Sequence, residues 1–258
     1  MELRDRHVVV TGAAGGIGGA VVRRFAAEGA RAVVVADTDV AGARAVAEEI
    51  GHQAAQVDVR DQDSIKALVD RATSEHGPID LFFSNAGVAG PGGGPDGDDD
   101  AWQAAWEINT MAHVWAARAV LPGMLARGEG YLVSTASAAG LLTQVDALAY
   151  SVTKHAAVAV AEWLAINYGD AGIRVSCVCP QAVRTPMLDV AAEGSAGMRS
   201  MEASGAILEP DEAAAAIVEG IREERFLILP HPEVARYMQH KANDPDRWLE
   251  RMRQFVRA

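Results

Sequence analysis

The chain has 258 residues, half of them hydrophobic, and its 35 acidic against 23 basic side chains leave a formal net charge of −12. That length suits one core at the large end of the single-domain range. The negative field disfavours a polyanionic partner such as nucleic acid, and no basic aromatic stripe offsets it.

No apolar run reaches the roughly 20 residues needed to span a bilayer, and "MELRDRHVVV" turns into a strand instead of a signal peptide. No membrane association is expected. Short apolar runs then alternate with amphipathic ones. "HVVVT" reads as a buried strand, "GGAVVRRFAAEG" as a helix closed by glycine, "RAVVVAD" as a strand and "TDVAGARAVAEEIG" as a helix. "QAAQVDV", "DQDSIKALVDRATSEHG" and "IDLFFSNAG" continue as strand, helix and strand. The glycine and aspartate segment "GPGGGPDGDDD" reads as a solvated connection. Beyond it come a helix around 101–126, the strand "GYLVSTAS", a helix from about 149 to 169 and the strand "IRVSCVCP". A helix opened by "EPDE" and the strand "RFLILP" close the series. This alternation, with nearly all-apolar strands, predicts a parallel sheet covered by helices on both faces. No repeat or linker divides the chain, so residues 1–258 are expected to form one domain. Cys177 and Cys179 are the only cysteines. At i and i+2 of a strand they point the same way, which disfavours a mutual disulfide and suits a reducing, cytoplasmic compartment. The seven histidines show no metal-site pairing, so no metal is expected.

The first strand runs into "TGAAGGIGGA". Gly12, Gly16 and Gly18 lie between strand and helix, where missing side chains let backbone approach a pyrophosphate and a helix N-terminus offers free N–H groups. Asp37 ends the second strand about 20 residues on, where a carboxylate accepts hydrogen bonds from the adenosine ribose hydroxyls. Together they point to NAD. Asp58, after the third strand, is a candidate for the adenine amino group, and "NAG", Asn85 to Gly87, puts small residues where a cofactor crosses the sheet edge.

"YSVTK" places Tyr150 and Lys154 four apart on one helix face, a pattern that chance neighbours also produce. The surrounding motifs give it meaning. "TGAAGGIG", "NAG", Asn109 in "EINT", Ser137 thirteen residues before Tyr150, and Lys154 stand in the order and spacing of the short-chain dehydrogenase/reductase family, compact NAD-dependent branch. The chain resembles that family from residue 7 to about 186. The resemblance implies a doubly wound, Rossmann-type α/β fold with seven parallel strands in the order 3-2-1-4-5-6-7. It implies a catalytic set of Asn109, Ser137, Tyr150 and Lys154, and further cofactor contacts from Ile17, Val59, Ala86, Pro180, Val183 and Thr185. Tyr150 and Lys154 would also meet the cofactor, and Asn109 would keep a water in a proton relay from Lys154. Relatives of this kind form homodimers or homotetramers.

The chemistry can be stated independently. A phenol with pKa near 10 is a poor base at neutral pH, and one cation at ~4.5 Å with an effective dielectric of ~20 supplies about 3.7 kcal/mol toward ionising it. Lys154 is expected to be that cation, with Ser137 stabilising charge on the substrate oxygen. The expected reaction is hydride transfer between NAD(H) and a secondary alcohol or ketone. The rivals are a reductase of a polar or carrier-linked carbonyl, with Arg184 and Arg199 as the nearby cations, and a non-catalytic dinucleotide sensor.

Two departures stand out. Gln181 takes the family's glycine position after Pro180 and is a candidate for facing substrate, as is Met187. The segment after Thr185, with Met187, Leu188, Val190, Met198, Met201 and Ile207, suits an adaptable apolar lid, hence an apolar substrate. The second departure is the end, residues 231–258. Trp248, Leu249, Met252, Phe255 and Val256 recur at helical spacing there, read as packing surface instead of a substrate box. A docked helix over the cleft of its own or a neighbouring subunit is expected.

Overall fold

A computed structural model of the chain describes residues 1–189 and 205–257. Seven strands, β1 (His7–Thr11), β2 (Ala32–Asp37), β3 (Gln53–Gln56), β4 (Leu81–Ser84), β5 (Gly130–Thr135), β6 (Ile173–Val178) and β7 (Leu227–Ile228), form one sheet. Its order is β3-β2-β1-β4-β5-β6-β7, and every pairing is parallel. β1 and β4 to β6 are almost wholly buried, because helices cover both faces and the Val, Phe and Leu side chains alternate between two cores. Val9, Phe82 and Leu132 fill one core, and Val8, Val10, Leu81 and Phe83 the other.

The helices are α1 (Gly16–Ala27), α2 (Val40–Ile50), α3 (Gln62–His76), α4 (Asp99–Trp106), α5 (Ala112–Arg127), α6 (Ala139–Leu142), α7 (Leu148–Tyr168), α8 (Pro186–Asp189), α9 (Pro210–Arg222), α10 (Glu233–Asn243) and α11 (Pro245–Arg257). Asp39, Asp61 and Asp98 cap α2, α3 and α4 by accepting backbone N–H groups, and Glu209 with Glu212 forms a capping box on α9. Because Asp39 caps α2, the neighbouring Asp37 is spared that duty.

Two predicted elements differ. The helix expected around 101–126 is interrupted by a π turn, Glu107–Met111, which contains Asn109. The last strand shrinks to two residues, since an edge strand is paired on one side only. The glycine and aspartate segment is not merely solvated. Gly93 N–H donates to the Asp146 carbonyl at 2.7 Å, and Gly93 accepts from Leu148 at 3.1 Å, tying the segment to the start of α7.

Candidate active site

The carboxyl ends of β1, β2, β4, β5 and β6 open into one cavity of about 1270 Å³. That exceeds the 300–1,000 Å³ usual for a single small-molecule ligand, so a dinucleotide and a second molecule fit together.

At one end lies the glycine turn. Gly12 and Gly16 hold φ of +64° and +53°, in the left-handed region. A Cβ on Gly12 would stand 2.6 Å from the Ala86 Cα, and one on Gly18 would stand 2.5 Å from the Asn85 amide nitrogen. Helix α1 starts here with no side-chain cap and no acid in its first turn, so its leading N–H groups and positive dipole end suit an anion. Ile17 lines the same end, and Thr185 Cγ2 would lie 3.2 Å from a Cβ on Gly16. The Asp37 carboxylate accepts from Ala14 N–H at 3.0 Å and from Asp39 N–H at 3.0 Å, so it is fixed beside the turn with lone pairs remaining for a ligand. These features fit a dinucleotide: a cradle closed to side chains, an uncapped helix start, and an oriented acid.

Asp58 and Val59 line this end too, but Asp58 is engaged. Its Oδ2 accepts from Arg60 Nη2 at 2.6 Å, and this pairing holds its carboxyl below the usual range. Arg60 also lines the cavity, a residue the sequence reading missed. Asn85 spends its amide within the protein. It donates to the Thr11 and Gly12 carbonyls and accepts from Thr135 Oγ1, which ties the edges of β1, β4 and β5 together. Ala86 and Gly87 continue along the cavity wall, and Pro180, Val183 and Thr185 face them from the β6 side.

The middle of the cavity holds Ser137, Tyr150 and Lys154. Tyr150 and Ser137 are neighbours there; the Ser137 hydroxyl donates to the Pro180 carbonyl at 3.4 Å and accepts from Ala139 N–H at 3.1 Å. Lys154 is 2 % exposed; its Nζ donates to the Thr135 carbonyl at 2.9 Å and stands 5.7 Å from the Tyr150 ring centroid. Burial pushes the Tyr150 phenol up, and the neighbouring Ser137 hydroxyl works against that rise. Burial also brings Lys154 down to about 8, because desolvation penalises its charged form.

Asn109 sits beside Lys154, just behind the cavity wall at Gly87. Its side chain is fully buried and committed to protein, accepting from Val88 N–H at 2.9 Å and donating to the Val88 carbonyl and Thr153 Oγ1. The amide therefore clamps the backbone after "NAG" to α7. One turn later His113 is buried, with neither ring nitrogen hydrogen-bonded. Burial first, and then the Lys154 charge, push it down to about 3.

The far end carries the substrate candidates. Gln181 lines it, its backbone N–H donating to His231 Nδ1 at 3.2 Å, while its side-chain oxygen is buried without a partner. Met187 and Leu188 line it as well. Ile207 does not, and Val190, Met198, Met201 and Arg199 lie outside the described residues. Opposite stand Gly90, Gly93 and the segment Leu142–Ala147, in which Thr143 and Asp146 hold φ of +74° and +59°. The chain's own tail completes this end through Tyr237, Trp248 and Met252. The apolar stripe of the tail thus splits, contrary to its reading as packing surface alone. Trp248 and Met252 are half-buried on the cavity, while Leu249 and Val256 are 55 % and 44 % exposed. The Phe255 side chain lies outside the described residues.

Among the described residues no group of three or more His, Cys, Asp or Glu could hold a metal ion, and no helix is long and apolar enough to cross a membrane. Cys177 and Cys179 are free, buried and 3.8 Å apart at sulfur.

Comparison with known proteins bears on this geometry. The chain is 35% identical over 254 residues to 1-deoxy-11-beta-hydroxypentalenate dehydrogenase of Streptomyces exfoliatus, covering 95% of this chain and 90% of that one. It is 37% identical over 220 residues to cis-4-hydroxycyclohexanecarboxylate dehydrogenase of Sinomonas cyclohexanicum, covering 83% and 88%. A short chain dehydrogenase/reductase from Burkholderia phymatum, solved in complex with NAD, superposes with a TM-score of 0.85 at 28% identity, covering 95% of this chain and 96% of that one. Residues 6–195 match the family model of short chain dehydrogenases, and the chain belongs to that family.

Proposed function

We propose that the protein transfers a hydride between NAD(H) and a secondary alcohol or the matching ketone on an apolar, ring-bearing substrate. The observation that carries this is one continuous cavity joining the Gly12–Gly16–Gly18 cradle and Asp37 to Ser137, Tyr150 and the buried Lys154. When bound, the dinucleotide supplies the hydride-accepting or hydride-donating carbon. Tyr150 takes or gives the hydroxyl proton, since it is the phenol that lines the cavity beside Ser137 and Lys154. Ser137 holds the substrate oxygen and stabilises charge developing there. Lys154 is fixed by the Thr135 carbonyl, where it can hold the nicotinamide ribose and receive the proton next. Because the Asn109 side chain is spent on Val88 and Thr153, any water that Asn109 holds in the relay rests on its backbone carbonyl in the π turn.

Asp37 favours NAD, because a 2′-phosphate of charge about −2 at ~5 Å is repelled by about 1.7 kcal/mol at water's dielectric and about 6.6 at an effective ~20. An apolar substrate is supported by Met187, Leu188, Trp248 and Met252 at the far end, and by relatives named for hydroxypentalenate and hydroxycyclohexanecarboxylate. A carrier-linked substrate is less well supported. Arg184 is paired with Glu209 at 2.7 Å, which removes it as a ready docking cation.

Exposed Leu148, Val152, Trp163 and Ile166 on α7, the last 81 % exposed, support a homodimer or homotetramer built on that helix. The two free cysteines support a reducing, cytoplasmic setting. The test is NADH formation across a series of cyclic and linear secondary alcohols of increasing size. Saturable turnover of cyclic members with NAD supports the proposal. Tight NADH binding without turnover of any alcohol or ketone points instead to a dinucleotide sensor.

A further inference from the structure

The two-helix tail, α10 and α11, reaches the cavity at one place. Tyr237, Trp248 and Met252 line the cavity, and α10 packs on α6, next to the Leu142–Ala147 wall of the substrate end. Trp248 and Met252 are i and i+4, so they form one ledge on one face of α11. Most of α11 is otherwise exposed, including Leu249. Among the described side chains of α11, the part-buried ones line the cavity, so their apolar contact is incomplete until something fills it. Lys241, on α10, fixes the approach by donating to the Leu141 carbonyl at 2.8 Å. Leu141 belongs to α6, shortly before the Leu142–Ala147 wall, so this bond links the tail to the segment leading into Tyr150.

We infer that the tail is the specificity-determining wall of this enzyme, and that Trp248 and Met252 clamp the apolar ring of an alicyclic secondary alcohol whose hydroxyl meets Ser137 and Tyr150. This deepens the reading above and rests on it. A flat indole and a flexible thioether make a surface that takes a hydrocarbon ring of variable outline. A rigid ring also loses less freedom on being held than a linear chain of similar area. The exposed upper face of α11 has no part in this, which supplies an internal control.

The experiment compares wild type with Trp248→Ala, Met252→Ala and the control Leu249→Ala, each saturated with NADH or NAD. Two readouts are taken: kcat/KM for cyclohexanol-type alcohols against 2-butanol, and binding of the matching cyclic ketone to the NAD-loaded protein, a pair that cannot exchange hydride, by thermal shift. Expected for Trp248→Ala is a loss of kcat/KM toward the cyclic alcohol of at least ~10-fold, the scale of removing apolar contact in a substrate pocket. The loss toward 2-butanol should stay below ~3-fold, with NADH affinity unchanged. Met252→Ala should follow in the same direction, and Leu249→Ala should match wild type. Equal losses on cyclic and linear alcohols, or no loss, would overturn the wall. If wild type turns nothing over yet binds the cyclic ketone, and Trp248→Ala abolishes that binding, the wall stands and the catalytic reading fails. Absence of any ring binding by wild type overturns the wall itself.

Discussion

The two ends of the cavity are built differently. The cofactor end is made from backbone at the carboxyl edge of a rigid sheet: left-handed glycines, an uncapped helix start, and an acid whose carboxylate is tied to Ala14. The substrate end is assembled from side chains on pieces far apart in sequence, namely Gly90–Gly93, Leu142–Ala147, Gln181, Met187 and the tail at Tyr237, Trp248 and Met252. A site made of backbone at a buried edge costs little to hold in shape and tolerates little change. One made of loops and an exposed helix can be rebuilt without disturbing the first, which is how one fold serves many alcohols.

The comparison breaks most directly where the ends meet. Tyr150→Phe keeps the ring and removes the proton-carrying oxygen. Turnover should fall by at least ~10²-fold, the low end for losing a positioned acid/base, while NADH affinity measured by titration stays the same. Near-normal turnover would mean that the proton passes elsewhere.

At the cofactor end, kcat/KM with NAD should exceed that with NADP by at least ~10-fold, the lower limit of the Asp37 repulsion. Asp37→Ala should narrow that preference without altering the ranking of alcohols. A ranking that moved with Asp37 would show the two ends to be coupled.

Beneath Lys154, His113 links acid stability to the site's construction. Its folded pKa, about 3, lies below the ordinary 6.5, so the fold favours the neutral ring and the unfolded chain takes up the proton first. Stability from this group is complete above pH 6.5 and is lost as pH falls toward 3, by about 1 kcal/mol over the first unit. Lys154 has the same sense in another window: lowered from 10.5 to about 8, it makes stability rise as pH increases between those values. Denaturant melts at stepped pH should show the acid slope, and His113→Leu should flatten it. An unchanged acid slope in that variant would assign it to other groups.

The smallest effect concerns Gln181. Its side-chain oxygen is buried and unpartnered, a cost of about 1–3 kcal/mol when nothing compensates. Gln181→Met should therefore raise Tm by a few degrees while raising KM for the alcohol and sparing NADH. A variant that is less stable, with KM unmoved, would mark Gln181 as a structural residue of the β6 loop instead of a substrate contact.

The strand and helix order, the parallel sheet and the glycine cradle were legible in the chain itself. Buried strands in this fold are continuous apolar runs, and the left-handed turn demands glycine at Gly12 and Gly16 whatever surrounds them. The spacing of Ser137, Tyr150 and Lys154 was legible for a related reason: strand β5 and helix α7 are regular, so fixed intervals become fixed positions. Other features depended on long-range packing that no local pattern encodes. The π turn turned the Asn109 side chain toward Val88 and Thr153, and burial raised the Tyr150 phenol. Nor does helical periodicity say which half of an apolar stripe meets a cavity. Trp248 and Met252 line the substrate end, and Leu249 on the same helix faces solvent, because the Lys241–Leu141 bond and the turn after Asn243 set the angle at which the tail arrives.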